Sequence, residues 1–383
     1  MSQQTALYDP TTAQFQLDMR EVYRELRDRH PVYHDPVQGF YALSRFVDVW
    51  TAVNDVEAFS SDGVYEADAL MPQMIFMDPP RHTALRAIVS RAFTPRRVAT
   101  LEPRVRAVAH QLVGAFASKG ECDLVRELAA PLPSTIMGEL IGVPDEELDT
   151  FRSLTEQFVG ITSVDDVADA ARNIYALFAE LLEARRRKPT DDLMSALLAA
   201  EADGRRLNDQ ELLGFSFLLL IAGNDTTTSL IGNGAELLAR HPDQRSELVA
   251  DPSLIPNAVE EMLRIESPTQ ALPRTATRDI EFGGTTIPQG SRVMLAWGAA
   301  NLDEREFPDP DCFDIHRKIS RHLGFGHGAH FCLGASLARL EARLAFEELL
   351  AQVPEYELAA EPVRFTSNWA RAFQSLPLRF PSP

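Results

Sequence analysis

The chain has 383 residues, 45% of them hydrophobic and 24% charged, an ordinary globular balance that excludes a disordered protein. A formal charge of -19 argues against nucleic acid or an anionic membrane as partner, because the mean field repels phosphate. Three cysteines, Cys122, Cys312 and Cys332, without C-x-x-C spacing exclude a disulfide scaffold and fit a reducing compartment.

The first residues are polar, with no charged-then-apolar leader. The longest apolar run, Phe217 to Gly223, is far shorter than the roughly 20 residues of a membrane span. A cytoplasmic protein without a membrane anchor is expected. No repeat, low-complexity tract or Pro/Gly/Ser linker divides the chain, so residues 1–383 read as a single domain. In chain order, a strand is expected at Gly39–Ser44. Asp78-Pro79-Pro80 then reads as an N-cap and first turn, opening a helix with His82 and Arg86 on one face. Apolar spacings of three and four predict helices over Arg97–Ser118, Glu146–Arg187, Asn208–Arg240, Pro256–Ile265 and Leu333–Val353. Ile280–Ile287 and Ser291–Trp297 read as a hairpin pair, with one more strand near the C-terminus. The fold class is mainly α with small β-sheets.

Three stretches depart from this plain pattern. The helix Asn208–Arg240 is interrupted by Ala222-Gly223-Asn224-Asp225-Thr226-Thr227-Thr228. A central glycine costs about 1 kcal/mol relative to alanine and threonines divert backbone hydrogen bonds, a conflict of the kind found at functional sites. Glu261 and Arg264 lie three apart on one helix face. The same spacing recurs at Glu21/Arg24 and Glu183/Arg186, which read as solvated surface pairs. The irregular segment Glu304–Gly328, with Pro308 and Pro310, runs into Phe325-Gly326-His327-Gly328-Ala329-His330-Phe331-Cys332-Leu333-Gly334 and then an amphipathic helix. Cys332 thus stands at a helix start, where unpaired N–H groups and the dipole favour a thiolate. Gly328 and Gly334 allow tight turns close to a flat cofactor. A zinc site on His322, His327, His330 and Cys332 has irregular spacing and one thiolate against it. A nucleotide loop on Gly324, Gly326 and Ala329 lies too near the C-terminus to open a dinucleotide fold. Arg81, Arg86, Arg91, Arg96, Arg97, Arg104 and Arg106 face only Glu102 in their stretch, a local inversion of the chain's sign.

The loop Phe325 to Gly334 fills every fixed position of F-x-x-G-x-[HR]-x-C-x-G and so resembles the haem-binding signature of the bacterial cytochrome P450 family. The resemblance implies one large helical domain holding haem b (iron protoporphyrin IX) between a long central helix and the cysteine loop. Cys332 would be the axial iron ligand, its electron donation favouring O–O cleavage. Phe325 would shield the sulfur, with Gly334 and Ala222 beside the haem. His330, together with His82, Arg86 and Arg274, would reach the propionates. Glu261, Arg264 and Arg317 would form a buried ion-pair network holding the cysteine loop. Ala222 to Thr227 resembles the family's [AG]-G-x-[DE]-T-T motif, in which Thr226 bonds back to the Ala222 carbonyl. Asp225 and Thr226 would relay protons for dioxygen activation. Electrons would come from NAD(P)H through ferredoxin and ferredoxin reductase, or a flavodoxin, docking near Arg91, Arg96 or Arg97. The pocket is expected between Val64–Met77, Phe217, Leu218, Ala222, Thr269–Leu272 and Trp369–Phe373, for a small-to-medium apolar organic substrate. Insertion of one oxygen atom, as hydroxylation or epoxidation, is the expected reaction. Dehydrogenation, coupling or isomerisation on the same fold, and a non-enzymatic haem sensor, are the alternatives.

Overall fold

The computed structural model describes residues 6–64, 70–148, 150–151, 153–154, 164–367 and 369–381. Its principal helices are α1 (Ala13–Arg29), α2 (Phe46–Asn54), α3 (Arg81–Ala92), α4 (Glu102–Phe116), α5 (Pro131–Ile141), α6 (Val164–Arg187), α7 (Asp209–Arg240), α8 (Ile255–Ile265) and α9 (Ala335–Gln352). The longest, α7, starts with a capping box: the Asn208 side chain accepts the Glu211 N–H at 2.9 Å and the Glu211 carboxylate accepts the Asn208 N–H at 3.1 Å. It buries Leu212, Phe215, Leu220, Leu230, Ile231 and Leu238 against α5, α6, α8 and α9. The α9 helix in turn packs along α4, so the chain beyond the cysteine loop is seated on several helices at once.

The expected helix Arg97–Ser118 divides into a short helix, Pro95–Thr100, and α4, because Pro103 has no N–H to continue the ladder and takes the first turn of a new helix. Of Glu146–Arg187, α6 is helical from Val164, and residues 149, 152 and 155–163 lie outside the described residues.

Seven short strands form the main sheet and one hairpin: β1 (Val32–His34), β2 (Tyr41–Leu43), β3 (Phe59–Ser60), β4 (Leu272–Ala276), β5 (Ile280–Phe282), β6 (Thr285–Ile287) and β7 (Arg292–Leu295). The main sheet has the order β1-β2-β7-β4-β3, with only β2 and β7 parallel. The expected pairing of Ile280–Ile287 with Ser291–Trp297 is corrected here. Gly283 and Gly284, both at positive φ, fold the first stretch on itself as the β5–β6 hairpin. The second stretch supplies β7, which joins β4 and β2 in the main sheet. Near the C-terminus β8 (Val363–Arg364) pairs with β9 (Phe373–Ser375). Among the described residues, no helix is long and apolar enough to cross a membrane.

Candidate active site

The cysteine loop lies between the end of the irregular segment and α9. Gly326 and Gly328 adopt φ of +66° and +68°, a region side chains disfavour. A Cβ on Gly328 would also come within 2.9 Å of the Val53 carbonyl oxygen on α2. Gly334, expected to need the same freedom, has an ordinary φ of -84°. Its added Cβ would stand 4.0 Å from the Cys332 sulfur, an ordinary contact, so the surrounding protein alone does not demand glycine there. The Cys332 N–H donates to the Phe325 carbonyl at 3.0 Å, which closes the loop. Burial pushes the Cys332 thiol above its ordinary range, while the N–H groups of Gly334 and Ala335 and the guanidinia of Arg86 and Arg339 pull the other way without prevailing. The donors expected at the helix start are present, yet a thiolate at this depth needs the positive charge of a bound metal as well.

The three histidines of the zinc alternative diverge. His322 pairs with Glu260 at 3.0 Å, the His327 ring stacks on Trp50 at 3.8 Å, and His330 faces Ser61 and His82.

Behind the loop, Glu261 and Arg264 are fully buried and joined by two bonds of 2.7 Å, and Arg317 reaches the same carboxylate at 3.1 Å. Their free donors fix carbonyls of the irregular segment: Arg264 those of Asn301 and Pro310, both at 2.9 Å, and Arg317 those of Pro308, Asp309 and Cys312. The network therefore anchors 301–317 rather than the cysteine loop itself. Asn301 makes the last link, its Oδ1 accepting the Leu323 N–H at 2.7 Å and its Nδ2 donating to Ser267 at 2.8 Å. At the surface, Glu183 and Arg186 do pair, but Arg24 turns away from Glu21 to Asp311.

A cluster of cations and histidines rims the loop. His82, on α3, is buried with its Nδ1 unpartnered, and its ring lies 4.1 Å from that of His330. Arg86 donates to the Phe331 carbonyl at 2.6 Å, and buried Arg274 on β4 donates to the Pro273 carbonyl at 2.7 Å. Burial, with the charges of His82, Arg274 and Arg86, lowers His330 to about 3, and burial lowers Arg274 to about 10. Asp78 was expected to cap α3; instead the two prolines place Pro80 at that position, and the Asp78 carboxylate accepts from Ser60 and from the Ser61 N–H. The nearby acid is thus already occupied, and an orphaned histidine nitrogen beside two guanidinia suits an anionic group such as a carboxylate.

Opposite the loop, the Thr226 hydroxyl donates to the Ala222 carbonyl at 2.7 Å, the back-bond expected from the motif. Its neighbour Asp225 is partly buried, and desolvation raises its carboxyl to about 7. Between α7 and the loop lies a cavity with about 1210 Å³ of space free of protein atoms, its outer part open to solvent. Its wall brings together His82, Arg86, Ala222, Thr226, Phe325, His330, Cys332 and Gly334. Asp225 and Arg274 stand outside that wall. Of the expected pocket residues, Met74, Ile75, Leu218, Ala222, Thr269 and Leu272 line it, whereas Phe217 and the turn at 369–373 do not. Residues 65–69 and 368 lie outside the described residues. Sequence reading missed Glu341, a buried acid of α9 on the cavity wall, lifted to about 8 by burial and bonded to Thr227. Only its place on the apolar face of an amphipathic helix could have signalled it.

A long helix with a Thr226 back-bond, facing a cysteine across a mostly apolar cavity with cations at one edge, defines the haem-thiolate class of oxygenase. The Cytochrome P450 family model matches residues 147–353. Cytochrome P450 130 of Mycobacterium tuberculosis is 42% identical over 383 residues, covering 94% of this chain and 95% of that protein. Vitamin D(3) 25-hydroxylase of Pseudonocardia autotrophica is 46% identical over 312 residues, 80% of this chain and 77% of that protein. Among solved structures, cytochrome P450 CYP109Q5 from Chondromyces apiculatus has a TM-score of 0.92 at 41% identity, covering 98% of this chain and 99% of that one. The chain belongs to the cytochrome P450 family of haem monooxygenases.

Proposed function

We propose that this protein is a single-domain, cytoplasmic monooxygenase that inserts one atom of dioxygen into a neutral, small-to-medium apolar substrate, by hydroxylation or epoxidation. The observation that carries this reading is one cavity with Cys332 on one wall and the back-bonded Thr226 on the other. Haem b bound there supplies the iron at which dioxygen is reduced and cleaved, one oxygen atom entering the substrate and the other leaving as water with two protons and two electrons. Cys332 would ligate its iron, Phe325 would cover the sulfur, and His82, Arg86, Arg274 and His330 would hold its propionates. Gly334 and Ala222 would leave room for the macrocycle.

The α7 residues across the cavity from Cys332 would manage protons, and the apolar wall would exclude water. Thr226 holds a proton at Oγ1 on the cavity wall, and Asp225, raised to about 7, exchanges protons with solvent near neutral pH. Met74, Ile75, Met137, Phe215, Leu218, Leu219 and Leu272 line the substrate side without a charge, which favours a neutral ligand over a carboxylate or an amine. Names of relatives agree with such a ligand: a vitamin D(3) 25-hydroxylase and a steroid C26-monooxygenase.

Electrons come from NAD(P)H through a ferredoxin and its reductase, or a flavodoxin. The basic stretch is narrower than its sequence suggests: Arg104 pairs with Glu139, Arg106 with Glu102, Glu347 and Glu348, and Arg97 with Asp191. Arg81, Arg91 and Arg96 stay exposed and are the better candidates for meeting an acidic partner.

The test is turnover of a panel of sterols, terpenoids and aromatic hydrocarbons with a surrogate ferredoxin system under labelled dioxygen. Label in the product supports monooxygenation. Product without label points to dehydrogenation, coupling or isomerisation, and no turnover of any ligand that shifts the haem band points to a sensor. Reduced protein that binds carbon monoxide without the thiolate band, or Cys332→Ser that retains it, would overturn the ligand assignment.

A further inference from the structure

Phe217 stands behind the cavity wall, and what it backs is informative. Its ring centroid lies 5.1 Å from that of Tyr175 on α6, and the Tyr175 hydroxyl accepts the Met71 N–H at 2.9 Å. One turn earlier on α7, Gly214 meets the next peptide: a Cβ there would stand 2.2 Å from the Pro72 carbonyl oxygen. The backbone at 71–72 is thus pinned between two helices, by a hydrogen bond on one side and by a contact only glycine permits on the other. Its continuation delivers Met74 and Ile75 to the cavity wall, with the Phe76 N–H closing a turn on the Gln73 carbonyl at 3.0 Å. A peptide N–H in this partly buried stretch needs an acceptor, and a side chain from a helix distant in sequence supplies it.

We infer that Tyr175 is a positioning residue of the substrate pocket: through Met71 it fixes where Met74 and Ile75 stand, and so sets the fit of large ligands without touching them. Tyr175 itself is absent from the wall, and its ring is held by Phe217 whether or not the hydroxyl is present. Replacing it with phenylalanine therefore removes one bond and little packing. The inference rests on the reading of the cavity as a haem and substrate site, and its test separates the two.

Haem-loaded wild type, Tyr175→Phe and Gly214→Ala are titrated with imidazole and with 1-tritylimidazole, read by the shift of the haem absorption band. Amide hydrogen exchange over 70–77 is measured in parallel. Tyr175→Phe should weaken the trityl probe about twofold to tenfold, the net worth of one neutral hydrogen bond, and leave imidazole unchanged. Exchange at Met71 should quicken by a similar factor. Gly214→Ala, which pushes the Pro72 carbonyl from the other side, should show the same selective loss. Equal weakening of both probes, or no weakening with unchanged Met71 exchange, overturns the inference. If imidazole fails to shift the band of wild type, the haem reading falls, and Met71 exchange alone then decides whether Tyr175 holds the wall.

Discussion

Glu261→Gln removes one charge from a place where no water can replace it. Glu261 and Arg264 are 0% exposed, and the carboxylate receives both Arg264 and Arg317. The variant leaves a fully buried guanidinium facing an amide, a change that costs about 3–5 kcal/mol when one partner of a buried pair is lost. For 383 residues an unfolding entropy of about 2.1 cal/mol/K per residue gives roughly 0.8 kcal/mol/K, so the melting temperature should fall by about 4–6 °C. Glu183→Gln is the matched control, with the same i,i+3 spacing on an exposed face, and should shift melting by less than about 1 °C. Calorimetry on the two variants decides. If Glu261→Gln melts with the control, the network is not what anchors residues 301–317, and Arg264 does not hold that segment.

Four further outcomes are expected. Thr226→Ala should keep the ligand-induced spectral shift but form product about 10²-fold more slowly, with Thr226→Ser close to wild type; equal rates in all three would remove the hydroxyl from the proton path. His82→Leu and Arg274→Leu should each lower haem affinity roughly tenfold or more, the worth of a charge-assisted bond. Neither should lower the melting point of haem-free protein, since one removes a buried ring nitrogen without a partner and the other a desolvated guanidinium; haem loading unchanged in both would refute the propionate role. Asp225 is protonated in the folded state up to about pH 7 against an ordinary 3.8, so its share of stability is whole below 3.8 and is lost as pH rises to about 7. Asp225→Asn should therefore gain on wild type in melting temperature between about pH 5 and pH 8, and a gap that narrows would contradict the burial argument. Arg96→Glu should slow reduction by a surrogate ferredoxin at low salt and matter less at high salt, whereas rates indifferent to the change would move the docking surface elsewhere.

How far the sequence carried depended on whether a feature was local. The cysteine loop and the Thr226 back-bond each sit within a few consecutive residues, and their resemblance to the family's motifs places them. The β7 strand was legible but its pairing was not, because its partners, Tyr41–Leu43 and Leu272–Ala276, are not its neighbours in sequence, and a short apolar run carries no record of its partner. Phe217 is expected in the pocket, beside Leu218, from the resemblance to the family, but one position around α7 is about 100°, enough to turn it from the cavity to Tyr175. The basic stretch lost Arg104 and Arg106 to acids from α5 and α9, pairings no linear charge count contains. The Cys332 thiol shows the same limit: its N–H donors were legible, but the depth that outweighs them is a property of the whole fold.

Asn301 is wholly buried; its backbone carbonyl accepts from Arg264, its Oδ1 accepts the Leu323 N–H, and its Nδ2 donates to Ser267. One carboxamide therefore rivets three stretches remote in sequence into a single opening unit. Opening the chain at Leu323, on the way to Cys332, strands a buried carboxamide that also seats the end of α8, which couples the two segments.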